Sequence, residues 1–250
     1  MYYYVYDDFV QDKKYERDLS RIENRLADLG IAGKIARLAL FKHAGELIID
    51  EVRRGVKTVV AVGDDSTVYK VFQAVAESGA TLAVIPFGRE NNLARILGIP
   101  EGEAACDVIA NRLTEKFDIG LINGERFLTG VRFNGINPEI VCDKSFIVTP
   151  TEPTAVEVRN LAVGNVASSD DVSDPQDGRL DLVVANKGKG GFWKRRKQAP
   201  ATVLPLKRFA FDSKRDAVAE VDGRKIRDTR FRVRLDAKKI KVIVGKDRMF

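Results

Sequence analysis

Four apolar residues, Val59-Val60-Ala61-Val62, run directly into the polar turn Gly63-Asp64-Asp65-Ser66-Thr67, and helical spacing resumes from Val68 to Ala76. A buried strand that ends in a tight turn and re-enters a helix belongs to α/β folds. Such a turn presents backbone N–H groups, and the helix start adds a partial positive charge, so the arrangement suits phosphate. A second unit follows: Thr81 to Ile85 is apolar and leads into Pro86-Phe87-Gly88-Arg89-Glu90-Asn91-Asn92. Two strand-to-loop units this close together predict one shared site.

The flanking pattern extends the fold. Met1-Tyr2-Tyr3-Tyr4-Val5-Tyr6 reads as a first strand, Asp18–Leu29 as an amphipathic helix, Ile35–Leu40 as a strand and Ala44–Arg54 as a second helix. Strands alternating with helices imply a three-layer α/β domain with a mostly parallel sheet, whose ligands sit at the carboxyl ends of the strands. The character changes near Phe117. Beyond it come short runs at Phe117–Ile122, Phe127–Phe133, Ile140–Val141, Val156–Ala162, Leu180–Val184, Ala217–Val221, Phe231–Leu235 and Ile240–Val244, with Asn123-Gly124 as a hairpin turn. These predict a C-terminal β-sandwich. The expected division is residues 1–117 for the α/β domain and 118–250 for the sandwich, the last strand returning to the first domain.

A length of 250 residues allows two modest domains, each with its own core. The longest apolar runs are far below the roughly 20 residues that span a bilayer. The start has no basic leader before Asp7-Asp8, so it does not read as a signal peptide. Cys106 and Cys142 form no metal motif, and a reducing cytoplasm is expected. Lys187, Lys189, Lys194, Arg195, Arg196 and Lys197 account for the whole net charge of +6. A basic excess this local argues against a nucleic-acid-coating protein.

In the two loops, Gly63 and Gly88 permit close backbone approach, Thr67 supplies a hydroxyl, and Asn91 and Asn92 supply amides. Asp64 and Asp65 are hard donors suited to Mg²⁺ carried by a phosphate. An ordinary βα turn capped by Asp, Ser and Thr explains the same residues. The motif gains specificity only from its surroundings.

Those surroundings resemble the diacylglycerol kinase-like lipid kinases, relatives of sphingosine kinases and, more distantly, NAD kinases. That family carries Gly-Gly-Asp-Gly-Thr after a strand, then Pro-x-Gly-Thr-Gly-Asn-Asp-x-Ala. The counterparts here are Gly63-Asp64-Asp65-Ser66-Thr67 and Pro86-Phe87-Gly88-Arg89-Glu90-Asn91-Asn92-Leu93-Ala94, continued by Leu97-Gly98-Ile99-Pro100. In the second half, Asp177-Gly178-Arg179-Leu180-Asp181 is similar to the family's Asp-Gly-x-Leu-Asp, and Asp222-Gly223-Arg224 to its late Asp-Gly-Glu. The resemblance implies an ATP-Mg²⁺ site in a cleft between the two domains and phosphorylation of a lipid hydroxyl, diacylglycerol being the default acceptor class. It places Gly63, Asp64, Ser66, Thr67, Gly88, Arg89, Asn91 and Asn92 on the nucleotide and Asp65 among the catalytic groups. Asp222 takes the position of the base, and Asp177 that of a structural Mg²⁺.

The chain departs from that pattern. Three loop glycines are replaced by Asp64, Ser66 and Glu90, Arg89 stands for a threonine, Arg224 stands for Glu, and Tyr6-Asp7-Asp8-Phe9 lacks the usual Asn-Pro-x-x-Gly. A side chain where glycine adopts a left-handed conformation costs roughly 1–2 kcal/mol. The alternative reading is therefore a catalytically degenerate member that binds nucleotide, lipid or a protein partner. Phe192-Trp193 beside Lys194–Lys197 suits peripheral contact with an anionic membrane. A solvated basic loop is the competing explanation. No nucleic-acid partner is expected, and a homodimer is compatible with this reading. His43 is the sole histidine, which excludes His-based triads, and Cys106 reads as a core thiol.

Overall fold

The computed structural model describes residues 1–38, 44–88, 91–152, 154–161, 173–185 and 201–250. Arg89, Glu90, His43, the end of the run expected at Ile35–Leu40, and the Phe192–Lys197 segment lie outside them. The described chain forms two compact units. One comprises Met1–Phe117 with Lys238–Phe250, and the other lies between residues 118 and 237.

The first unit is α/β. Its elements are β1 (Tyr2–Tyr6), α1 (Glu16–Asp28), β2 (Lys34–Arg37), α2 (Ala44–Arg53), β3 (Thr58–Gly63), α3 (Asp65–Ser78), β4 (Thr81–Pro86), α4 (Asn92–Ile96) and α5 (Ala104–Asn111). Strand β1 pairs in parallel with β2 and β3, and β3 pairs in parallel with β4. All residues of β1 and nearly all of β3 and β4 are buried, as expected for a sheet covered on both faces. Helix α1 buries Ile22 and Leu26, and α3 buries Val68, Val71, Phe72 and Val75. Cys106 is buried and unpaired in α5, and burial, then the charge of Asp107, pushes its thiol up to about 11.

The second unit is antiparallel. It is built from β5 (Thr114–Ile122), β6 (Glu125–Phe127), β7 (Gly130–Ile136), β8 (Ile140–Cys142), β9 (Phe146–Val148), β10 (Thr154–Arg159), β11 (Leu180–Ala185), β12 (Ala201–Leu206), β13 (Arg208–Val221) and β14 (Arg224–Ile243). The pairing order is β12-β11-β10-β7-β13-β14, with β5 on β14 and β6, and β8 on β13 and β9. The start of β5, up to Phe117, and the end of β14 belong to the first unit, where Lys241 and Val242 pair in parallel with Thr81 and Leu82. Alternate residues supply one apolar core. At its centre Phe133, Phe211 and Phe231 pack with ring centroids 4.9–5.1 Å apart. Edge and tilted contacts at these separations are the favoured aromatic geometries.

Several expected strand limits shift. The run Phe127–Phe133 is broken at Leu128-Thr129, because the backbone N–H groups of both bond to the Asp222 carboxylate instead of a neighbouring strand. The expected strands Phe231–Leu235 and Ile240–Val244 are one continuous strand, β14, running through the polar stretch Asp236–Lys239. Strands β9 and β12 carry mostly exposed residues and lack the alternation that marks a core-facing strand. No helix among the described residues is long and apolar enough to cross a membrane.

Candidate functional site

Strands β3 and β4 lie side by side with Gly63 opposite Pro86, and Phe87 N donates to Gly63 O at 2.8 Å. Both polar loops therefore leave from the same edge of the parallel sheet. At the turn after β3, Asp64 has an extended backbone and caps α3. Its Oδ1 accepts from Thr67 N at 3.2 Å, Ser66 Oγ at 2.7 Å and Thr67 Oγ1 at 3.3 Å. A Cβ on Gly63 would stand 2.1 Å from Thr67 Oγ1, so this position admits no side chain as the turn is built. Gly88 has φ +90°, in the left-handed region that glycine enters freely.

The second loop is tied to the first through Asp65. This buried carboxylate accepts from Asn92 N and Leu93 N, each at 3.0 Å, at the start of α4. Burial pushes its carboxyl up, these N–H bonds pull it down, the Asp64 charge adds an upward push, and the net direction is up. Asn91 Nδ2 donates to Gly88 O at 3.3 Å. Gly63, Asp64, Asp65, Ser66, Thr67, Gly88, Asn91 and Asn92 thus share one rim of the first unit, and Arg89 lies outside the described residues.

Two residues absent from the sequence reading of this site join it. Asp7, at the end of β1, is buried, and its Oδ2 accepts from Thr67 Oγ1 at 2.8 Å and from Lys70 Nζ at 2.7 Å. Its Oδ1 accepts from Asp8 N at 2.7 Å. Burial works upward on this carboxyl, but the hydrogen bonds from Lys70 and Thr67 and the Lys70 charge leave it below the usual carboxylate range. The hydroxyl of Thr67, fully buried, faces a carboxylate of its own chain. The only early signal was negative: the missing Asn-Pro-x-x-Gly turn after β1.

In the second unit, Asp222 and Gly223 form the turn between β13 and β14, with Asp222 at φ +44°. The Asp222 carboxylate is buried and accepts from Leu128 N at 2.7 Å, from Thr129 N at 3.0 Å and Thr129 Oγ1, and from Gly130 N at 3.3 Å. Burial pushes it up despite these bonds. It clamps the β6–β7 connection to the hairpin, with three donors on Oδ1 and one, Leu128 N, on Oδ2. Asn160, buried nearby in sequence terms to β10, donates from Nδ2 to the carbonyls of Asp118 and Leu128.

Asp177 Oδ1 accepts from Arg179 N at 2.8 Å, and Asp118 Oδ2 accepts from Gly178 N at 2.9 Å. Burial raises the Asp177 carboxyl, and the charges of Asp174, Asp181 and Asp118 raise it further. These are hard oxygen donors with mutual repulsion, a chemistry that fits Mg²⁺. Yet among the described residues no three His, Cys, Asp or Glu side chains gather to hold an ion. An ion at Asp177 would depend on backbone carbonyl oxygens and water for its remaining ligands.

Residues 4–122 match the family model described as the diacylglycerol kinase catalytic domain. "Probable lipid kinase YegS-like" of Pseudomonas aeruginosa UCBPP-PA14 is 34% identical over 87 residues, which are 34% of this chain and 29% of that protein. The diacylglycerol kinase of Bacillus subtilis 168 is 38% identical over 74 residues, covering 28% of this chain and 24% of that one. The matched stretches thus span less than a third of these curated relatives. A crystal structure of a diacylglycerol kinase from Bacillus anthracis Sterne superposes with a TM-score of 0.78 at 20% identity, covering 99% of this chain and 97% of that one. That likeness extends the fold over both units, an α/β domain followed by a β-sandwich domain. The elements that build the two loops are thus similar to the diacylglycerol kinase catalytic domain, and the chain as a whole shares the fold of the Bacillus anthracis structure.

Proposed function

We propose that the protein transfers the γ-phosphoryl group of ATP to the hydroxyl of a lipid of the diacylglycerol class. The reading is carried by the pairing of Gly63 with Pro86, which sets both glycine-bearing loops side by side at the carboxyl edge of β3 and β4. Backbone N–H groups there, with Ser66, Asn91 and Asn92, would position the nucleotide phosphates. Phosphoryl transfer needs mainly positioning and charge neutralisation. Asp64 and Asp65 would hold a Mg²⁺ ion carried by the phosphates, which would supply neutralising charge. Asp222 is the base in this reading, and its raised affinity for a proton suits that role. Lipid is the partner.

A second reading, a member that binds without phosphoryl transfer, is favoured by one observation. Asp65, Asp222 and Thr67 are each already engaged by groups of the chain itself. Titrating the protein with ATP-Mg²⁺ while following its melting temperature separates these readings from a chain that binds no nucleotide. Millimolar ATP should raise the melting temperature, as any ligand specific for the folded state does. Absence of a shift rejects both the kinase and the nucleotide-binding alternative.

A further inference from the structure

Strand register sets an unusual row of side chains on one face of the second unit. Ile147 on β9 pairs with Val141 on β8, Val141 with Ala210 on β13, and Ala210 with Arg232 on β14. One step along, Arg208 stands directly opposite Arg234. The alternating residues Phe209, Phe211, Phe231 and Val233 enter the core, so the row faces outward. Two like charges directly opposite in an antiparallel pair destabilise it.

Among the described residues the neighbouring acids form no ion pair with either arginine. Asp212 is held by Arg232 at 2.7 Å. Asp143 accepts from the backbone N–H groups of Lys207 and Arg208, not from their side chains. Arg234 donates to the carbonyl of Leu235, and among the described residues neither Arg208 nor Arg234 has a carboxylate in ion-pair contact. A cavity of about 550 Å³ opens at this place, its charged lining being Lys144, Arg208, Arg232 and Arg234 against Glu139 and Asp212. Beside it, Val141 and Ile147 are 39% and 58% exposed.

We propose that this face docks on an anionic phospholipid bilayer, with a lipid phosphate seated between Arg208 and Arg234 and with Val141 and Ile147 entering the headgroup layer. Arg208 and Arg234, without an ion-pair partner among the described residues, supply the charge complementarity, and planar guanidinium groups suit phosphate oxygens. The aliphatic neighbours decide between the two polyanions that could satisfy the pair. Nucleic acid bases favour aromatic stacking platforms, whereas Val141 and Ile147 offer only apolar volume, which a bilayer accepts. This surface lies outside the candidate nucleotide site and does not depend on phosphoryl transfer.

Sedimentation with vesicles of phosphatidylcholine, with and without phosphatidylglycerol, tests the assignment. The protein should pellet with the acidic vesicles and release as salt is added. Arg208→Gln and Arg234→Gln should each weaken pelleting about fivefold, without lowering the melting temperature, because each removes half of a repelling pair. Ile147→Ser, at an exposed position, should weaken it as well. The proposal is overturned if Arg208→Gln and Arg234→Gln pellet like the parent, as they would if only replacement of Lys194–Lys197 by Ser abolished binding. It is overturned equally if the arginine variants lose affinity for single-stranded RNA or for free glycerol phosphate while the parent ignores acidic vesicles.

Discussion

Thr67 donates its hydroxyl to Asp7 Oδ2 across 2.8 Å, joining the first turn of α3 to the end of β1 sixty residues earlier in the chain. Lys70, one turn further along α3, reaches the same oxygen at 2.7 Å. The carboxylate thus takes up a hydroxyl and an ammonium beside the loop where nucleotide phosphates are proposed to lie.

Replacing Asp7 by Ala leaves the buried Thr67 hydroxyl only its longer bond to Asp64 Oδ1 and takes the partner from Lys70. Loss of hydrogen bonds at a buried carboxylate costs about 1–3 kcal/mol, and the denaturant midpoint should fall accordingly. Asp7→Asn keeps an acceptor but removes the charge beside the phosphate loop and releases Lys70. ATP-Mg²⁺ binding, read by calorimetry, should tighten several-fold. Weaker binding by Asp7→Asn would show that Asp7 serves the nucleotide instead of competing with it.

The same residue gives a pH dependence of definite sign. Its carboxyl lies below the usual range, so its contribution to stability is complete above the unfolded value near 3.9 and is lost as pH falls through the lower folded value. The stability difference between the parent and Asp7→Asn should therefore stay constant near neutrality and close on acidification below about pH 4. A difference that widens with acid contradicts the assignment. Asp222, raised by burial, works with the opposite sign: stability falls as pH rises through the interval from its unfolded to its folded value.

Asp222→Ala removes the acceptor of three backbone N–H groups and should cost about 3 kcal/mol or more, measured by urea unfolding. Asp222→Asn, which retains one acceptor oxygen, separates the clamp from the proposed base. If Asp222 acts as the base, the folded Asn variant loses turnover while its ATP-induced melting shift persists.

At Gly63 the prediction is steric. An added methyl meets Thr67 Oγ1 at 2.1 Å and Thr67 Cβ at 2.7 Å, and Thr67 is fixed by Asp7. Gly63→Ala should cost about 1–3 kcal/mol, the usual effect of overpacking. A neutral result in thermal unfolding would show that α3 can move away from β3.

The β3–α3–β4 core was legible because its apolar runs, turn residues and helical spacing all describe the same local structure. The Asn123-Gly124 hairpin was legible for the same reason: the two residues adopt positive φ, as the turn chemistry requires. Strand β12 was not, since its residues are mostly exposed and its pairing with β11 is a backbone matter without a side-chain signature. Asp7 was visible only as a missing turn motif. Its role depends on strand order, which brings β1 beside β3, and no local pattern encodes that. The Asp222 position was found by resemblance, but its four donors come from Leu128–Gly130, more than ninety residues away.

Transfer of label from γ-labelled ATP to mixed lipid vesicles containing diacylglycerol measures the proposed reaction itself. The account predicts a Mg²⁺-dependent labelled phospholipid that is abolished by Asp222→Asn in a protein that still melts cooperatively. A melting shift with ATP-Mg²⁺ and no labelled lipid over that range of acceptors would contradict phosphoryl transfer and leave a protein that only binds nucleotide.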